Sequence, residues 1–197
     1  PREYSNIYRT DPAIWQNSNM SPHFPYGAKI WLSLWEKQYS QKLDGVITLD
    51  PIVLQSILAV IGPIDVEGQT IDSNNVVRKT LSDVYLEFEK NNENRKQFLV
   101  SVIQGVSKKL LSSKLDVYRL ILNLQDPIFE QRISVFSNNP EIENRILKTK
   151  IGGSLLLKAD NNYRVVIQNV SGNKMDYYLS RSIKIKSIKF FVLFAIR

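Results

Sequence analysis

The chain has no cysteine and a single histidine in 197 residues. The first absence excludes disulfides, thiolate metal sites and cysteine nucleophiles, and it fits a bacterial protein outside the cytoplasm. The second means that a histidine-dependent hydrolase would have to use His23, wedged between prolines in "SPHFP"; a surface or packing role suits that position better. Long apolar runs are missing as well. The longest, "FFVLFAI" at Phe190–Ile196, has seven residues, against the roughly 18 that span a bilayer, and it reads as a strand. No H-E-x-x-H, G-x-S-x-G, Walker or dinucleotide fingerprint occurs. "IGG" and "SGNK" lack the glycine spacing of a phosphate loop and read as turns. Acidic residues are absent between Leu179 and Arg197.

What is present describes a folded protein. The 43% hydrophobic content supports a real core, and the length suits one compact domain with at most a small appendage. The net charge of +7 is uneven: residues 1–150 carry 18 basic and 17 acidic side chains, residues 151–197 carry 8 and 2. The basic excess therefore belongs to the tail. The opening "PREYSN" has neither methionine nor a signal peptide, so either a processed start or a fragment of a longer chain is expected, which leaves room for an anchor upstream.

Residues 1–24, with Pro12 and Pro22 among many polar groups, read as an irregular leader; residues 25–197 read as a single α/β domain, β-rich over 151–197. Ile30, Trp31, Leu34 and Trp35 recur at helical spacing from Tyr26 onward. "VITL" is short and β-branched, a buried strand. In "DPIVLQSILAVIGP" Asp50 suits an N-cap, Pro51 the first helical position, and Gly62 a left-handed stop before Pro63. "IDV" reads as a strand turned by "EGQ". Helices are expected from "DSNN" through Phe88, over Phe98–Leu111 and over Val117–Leu124. "ISVF" reads as a strand, and "NNPEIENRI" as a helix capped by Asn139. "LLLKADNNYRVVIQNV" is strand, turn, strand, and "RSIKIKSIKFFVLFAI" alternates before turning wholly apolar. The pattern predicts an α/β fold, a mixed sheet covered by helices, with a β-rich C-terminal segment.

Within "DGVITLDP" the aspartates Asp44 and Asp50 sit at a turn and at a helix start, where aspartate bonds the backbone. A strand between them separates the carboxylates by roughly 18–20 Å, too far for paired-carboxylate hydrolysis at about 5–10 Å. They are hinges, not a dyad. Arg9 and Asp11 in "YRTDP" would suit a phosphate and a metal, or simply a leader. Asn169, Asn173, Lys174 and Asp176, beside Tyr177 and Tyr178, would suit sugar or phosphate, or a hairpin turn. Lys184 and Lys186 share a strand face and would contact a polyanion (nucleic acid, anionic lipid or a phosphate-bearing wall polymer) or keep an edge strand soluble. Nucleic acid is the weakest of these partners, since no aromatic-interleaved basic motif or recognition helix stands out. No resident cofactor or metal site is expected from the residues.

"MSPHFPYGAKIWLSLWEKQ", "DGVITLDPIVLQSILAVIGPIDVEGQTIDSNNVV", "RKQFLVSVIQGV" and "NVSGNKMDYYL", in that order, resemble the bacterial domain-of-unknown-function family 4012 over Asn17 to Ser182. The resemblance implies an extracytoplasmic, membrane-anchored envelope protein, with the anchor outside this chain. Family members usually carry aspartate where this chain has His23. The strand–helix–"GP"–strand core also resembles, remotely, the LytR-CpsA-Psr phosphotransferases, which use arginines, aspartates and Mg²⁺ around a pyrophosphate; no catalytic residue carries over. The expectation is a cell-envelope domain binding an anionic glycopolymer or a protein partner. The alternative is a LytR-CpsA-Psr-like phosphotransferase acting on polyprenyl-pyrophosphate-linked glycan, with Mg²⁺ as cofactor.

Overall fold

A computed structural model describes residues 2–89, 91–112, 114–155, 178–180, 182–188 and 191–196. In chain order the elements are α1 (Arg2–Tyr8), a 3₁₀ turn (Trp15–Asn17), α2 (Phe24–Tyr39), β1 (Gly45–Leu49) and α3 (Pro51–Ile61). Next come β2 (Ile64–Val66), β3 (Gln69–Ile71), α4 (Val76–Arg78), a π-helical Lys79–Asp83 and α5 (Val84–Glu87). α6 (Asn92–Ser112), α7 (Val117–Phe129), β4 (Ile133–Ser137), α8 (Pro140–Ile146), a 3₁₀ turn (Lys150–Gly152), β5 (Ile183–Ile188) and β6 (Phe191–Ile196) complete the series. The chain divides into two compact units, Pro1–Val166 and Ile167–Arg197.

The α/β character is as the sequence predicts. Among the described residues the strands pair two by two, in antiparallel ribbons β1–β4, β2–β3 and β5–β6. β1 is also less buried than its apolar sequence suggests: Ile47 is 66% exposed, and among the described residues β4 is the one strand paired with it. β2 and β3 turn through Glu67 (φ 51°) and Gly68 (φ 78°), the left-handed pair that matches the twist of a tight hairpin.

The first 24 residues are not irregular throughout. Arg2–Tyr8 is helical, and the buried Tyr4 hydroxyl fixes it, donating to Asn17 O (3.0 Å) and accepting from Met20 N (2.7 Å). The buried Ser18 hydroxyl accepts from Trp31 Nε1, and the Trp15 and Trp31 rings stack at 5.8 Å. These tertiary bonds override the loop signal of the prolines.

The core of this unit joins Val53, Leu54, Ile57 and Leu58 of α3 to Ile64, Val66 and Ile71 of the hairpin and Phe98, Val102 and Val106 of α6. α3 is set locally: the Asp50 carboxylate accepts from Ile52 N (3.0 Å) and Val53 N (3.1 Å), and Pro51 occupies the first turn. Gly62 ends it at φ 78°, ψ −178°, an extended conformation open essentially to glycine alone, and not the left-handed helical stop expected. The helix expected up to Phe88 contains a π turn. Eight α-helical residues advance about 80° past whole turns, so Val76 and Val84 would diverge. The π turn absorbs one residue, and both valines are buried. The buried Thr80 hydroxyl donates to Val76 O at 2.7 Å within that turn.

α6 starts at Asn92, six residues earlier than Phe98, where Asn91 Oδ1 accepts from Asn94 N at 3.0 Å. α7 runs through Pro127 to Phe129; one helical bond is forfeited, and the buried proline ring packs in exchange. The strand–turn–strand expected over "LLLKADNNYRVVIQNV" lies outside the described residues apart from Leu155.

Candidate functional site

The register of β1 on β4 settles the two early aspartates. Leu49 opposes Ile133 and Gly45 opposes Ser137, so the two aspartates lie at opposite ends of the β1–β4 ribbon. Asp50 caps α3 and also accepts from Arg132 Nη1 at 2.6 Å. Arg132 in turn bonds Glu130, and these carboxylates, Glu130 first and Asp50 second, hold its guanidinium yet more firmly protonated. At the other end the Asp44 carbonyl accepts from Asn138 N (2.7 Å). Among the described residues no shared cleft unites them.

A concavity of about 910 Å³ lies elsewhere, between α1 and α2. The α2 wall has two parallel rows, each at four-residue steps: Tyr26, Ile30 and Leu34 beside Lys29, Ser33 and Lys37. Four-residue spacing stacks side chains on one helical face, so an apolar row and a cationic row share the groove. The facing wall comes from α1 and the turn after it: Tyr4, Ile7, Tyr8, Asp11 and Pro12. The Tyr4 and Tyr8 rings lie 4.6 Å apart. Tyr26 is 56% exposed, an aromatic surface held open to solvent. Neither Lys29 nor Lys37 forms an ion pair among the described residues; Lys29 Nζ lies 5.9 Å from the Phe136 ring centre.

Asp11 reaches this groove, and Arg9 does not. Arg9 ends α1 with φ 48°, a left-handed stop, and its side chain is exposed. The Asp11 carboxylate accepts from Ala13 N at 2.9 Å and so shapes its own turn. No arginine among the described residues lines the groove. Among the described residues no group of three or more histidine, aspartate or glutamate side chains is placed to hold a metal ion. Asn169, Asn173, Lys174 and Asp176 lie outside the described residues. Lys184 and Lys186 occupy one face of β5, at the register positions opposite Ala195 and Leu193.

His23 sits beside the groove as a packing residue. Its Nδ1 accepts from Leu155 N at 3.1 Å, and its ring meets Tyr26 edge-on at 4.6 Å. Burial, then the Lys29 charge, lowers its pKa, while Glu143 opposes them; at neutral pH the ring is uncharged, as an Nδ1 acceptor must be. Glu143 is itself buried, and its Oε2 accepts from Ser137 N at 2.8 Å.

Sequence reading passed over Tyr4, Tyr8, Tyr26, Lys29 and Lys37. The signal was available in the four-residue repeats Tyr4–Tyr8 and Lys29–Ser33–Lys37; the stronger tryptophan stripe of α2 masked it.

Residues 1–85 match the model of a family described as "Protein of unknown function (DUF4012)". The match takes in the whole groove, His23 and the Asp44–Asp50 segment, and supports the family that the motifs suggest. The segments "RKQFLVSVIQGV" and "NVSGNKMDYYL" lie beyond it. No curated protein and no solved structure matches the chain. Among the described residues no helix is long and apolar enough to cross a membrane.

Proposed function

We propose that this chain is a cell-envelope domain, at the outer face of a bacterial membrane, whose α1–α2 groove binds a stretch of anionic glycopolymer. The observation that carries the reading is the pairing of Lys29 and Lys37, free of ion pairs among the described residues, with the accessible rings of Tyr8 and Tyr26 in one open groove of about 910 Å³. Sugar rings present apolar C–H faces that pack on aromatic rings, while ammonium groups meet phosphate or carboxylate substituents. The volume falls at the upper end of the usual range for ligand clefts.

The phosphotransferase alternative asks for arginines converging on a pyrophosphate and carboxylates holding Mg²⁺. Among the described residues the groove offers two separated lysines and one carboxylate already engaged in its own turn. That donor set favours holding an anionic chain over transferring one. A protein partner would favour an apolar surface without free cations.

Binding to alginate, which carries both sugar faces and carboxylates, tests the reading against polyphosphate, which carries charge alone. Tyr26→Ala and the double variant Lys29→Gln/Lys37→Gln are each expected to weaken alginate binding at least about tenfold, as loss of about 1.4 kcal/mol does. Unchanged alginate affinity in both variants ends the proposal. Polyphosphate bound as tightly as alginate, with no effect of Tyr26→Ala, would remove the sugar and leave a generic anion site.

A further inference from the structure

α7 has two apolar faces, and only one of them is packed. At about 100° per residue, Leu120, Leu124, Pro127 and Ile128 fall on one side of the helix and turn toward the core. Tyr118, Ile121, Leu122 and Phe129 fall together on an adjoining arc of about 100°. All four are exposed, the two rings by 73% and 70%. Lys150 lies over the Phe129 ring, its Nζ 3.7 Å from the centre, and leaves the rest of that ring open. A helix that packs on one side needs one apolar stripe; this second stripe, about three turns long, is without a cover among the described residues.

Charge beside the stripe selects the cover. Arg119 and Asp126 lie seven residues apart, about two turns, on the same flank, and neither forms an ion pair among the described residues. Around Asp126 a concavity of about 420 Å³ opens between α3 and α7, lined by Ile52, Ser56, Leu122, Asp126 and Glu130 among others. Glu130 is engaged with Arg132; Asp126 is not. This layout complements itself. A two-fold axis that passes α7 midway between Arg119 and Asp126 runs two copies of the helix antiparallel and keeps the charged flank on the same side in both. It sets Arg119 of each copy against Asp126 of the other, at the mouth of that concavity. It also brings the two Leu122 side chains together near the axis and Tyr118 toward Phe129 of the second copy. Flanking ion pairs of this kind fix the orientation of paired helices. A lipid surface fits less well, because Asp116, Asp126 and Glu130 outnumber the one arginine of the helix, and anionic bilayers select basic faces.

We infer that the chain self-associates through α7, as an antiparallel two-fold dimer with Leu122 at its centre and reciprocal Arg119–Asp126 pairs at its edge. The stripe would remove on the order of 500 Å² from each copy and about 1,000 Å² in the pair, the low end for a specific interface, so the association is weak and reversible.

Sedimentation velocity of the unaltered chain from about 1 to 200 μM covers the range that such an area supports. A monomer at the lower end and a dimer at the upper end are expected. Leu122→Asp is expected to abolish the dimer. Arg119→Glu and Asp126→Arg place like charges at both edge contacts, and each is expected to weaken it at least about tenfold. An equimolar mixture of those two variants restores opposite charges at both contacts and is expected to dimerise as the parent does. Lys29→Gln/Lys37→Gln is expected to leave association unchanged, which separates this inference from the groove. A parent that stays monomeric throughout overturns it; if Leu122→Asp then also lowers the urea midpoint, the stripe is covered from within the same chain. A monomer that binds phosphatidylglycerol vesicles overturns it as well and assigns the stripe to lipid. So does a dimer indifferent to Leu122→Asp, or a mixture of the charge variants no stronger than either alone.

Discussion

α2 and α3 both begin with proline in the first turn, yet they are held by different means. α3 carries its instructions within nine residues: the Asp50 carboxylate caps two N–H groups, Pro51 fixes φ, and four apolar side chains, Val53 to Leu58, face the core. The start of α2 has no side-chain cap. Its first N–H, from Phe24, donates to Gly153 O at 3.0 Å, and His23 Nδ1 accepts from Leu155 N. Residues some 130 positions away therefore complete a helix that forms one wall of the groove. Locally coded ends make the framework, and remotely coded ends position the candidate site.

The sharpest way to break this contrast is Gly153→Ala. Gly153 sits at φ 55°, and an added Cβ would lie 2.6 Å from Phe24 Cβ. Left-handed strain and overpacking together predict a loss of about 2–4 kcal/mol, read as a lowered urea midpoint. A loss under about 1 kcal/mol would show that the α2 start does not depend on the remote glycine. Asp50→Ala should cost less, about 1–2 kcal/mol, from one lost cap and one half-exposed ion pair with Arg132. Asp50→Asn retains the cap acceptor and should recover most of that loss. If it recovers nothing, Arg132 matters more than the helix end.

The same contrast explains what could be read in advance. The boundaries around Asp50, Pro51 and Asn139 follow from hydrogen bonds within three residues, and such bonds leave a local signature. The helical start of the chain does not, because Tyr4 finds its partners at Asn17 and Met20. Nor does the π turn, which exists so that Val76 and Val84 reach one core. Of the site, the sequence singles out Asp11 alone, as a candidate metal ligand or part of a leader; its carboxylate instead bonds the backbone of its own turn. Lys29 and Lys37 read as ordinary solvent-face lysines until α1 lay across from them.

Acidification probes the remote end of α2 more gently. The folded state depresses the His23 pKa, through burial first and Lys29 second, against the pull of Glu143. The unfolded chain therefore binds the proton more readily. The stability contributed by the neutral ring is present above about pH 6.5 and is lost as pH falls through the folded value. Protonation also converts Nδ1 from acceptor to donor, which removes the Leu155 bond. The thermal midpoint of the parent should drop between neutral and mildly acidic pH more steeply than that of His23→Gln. Parallel curves would mean that His23 titrates without coupling to folding.

The smallest effect is expected at Asp44. It shares with Asp50 a place at one end of β1, but its side chain is exposed and makes no hydrogen bond or ion pair among the described residues; its backbone carbonyl alone meets Asn138. Asp44→Ala should change stability by less than about 0.5 kcal/mol, the usual range for an unengaged surface position, and should leave alginate binding untouched. Should it weaken that binding severalfold, the two aspartates could no longer be treated as unequal backbone hinges, and the ligand would have to extend from the groove along β1.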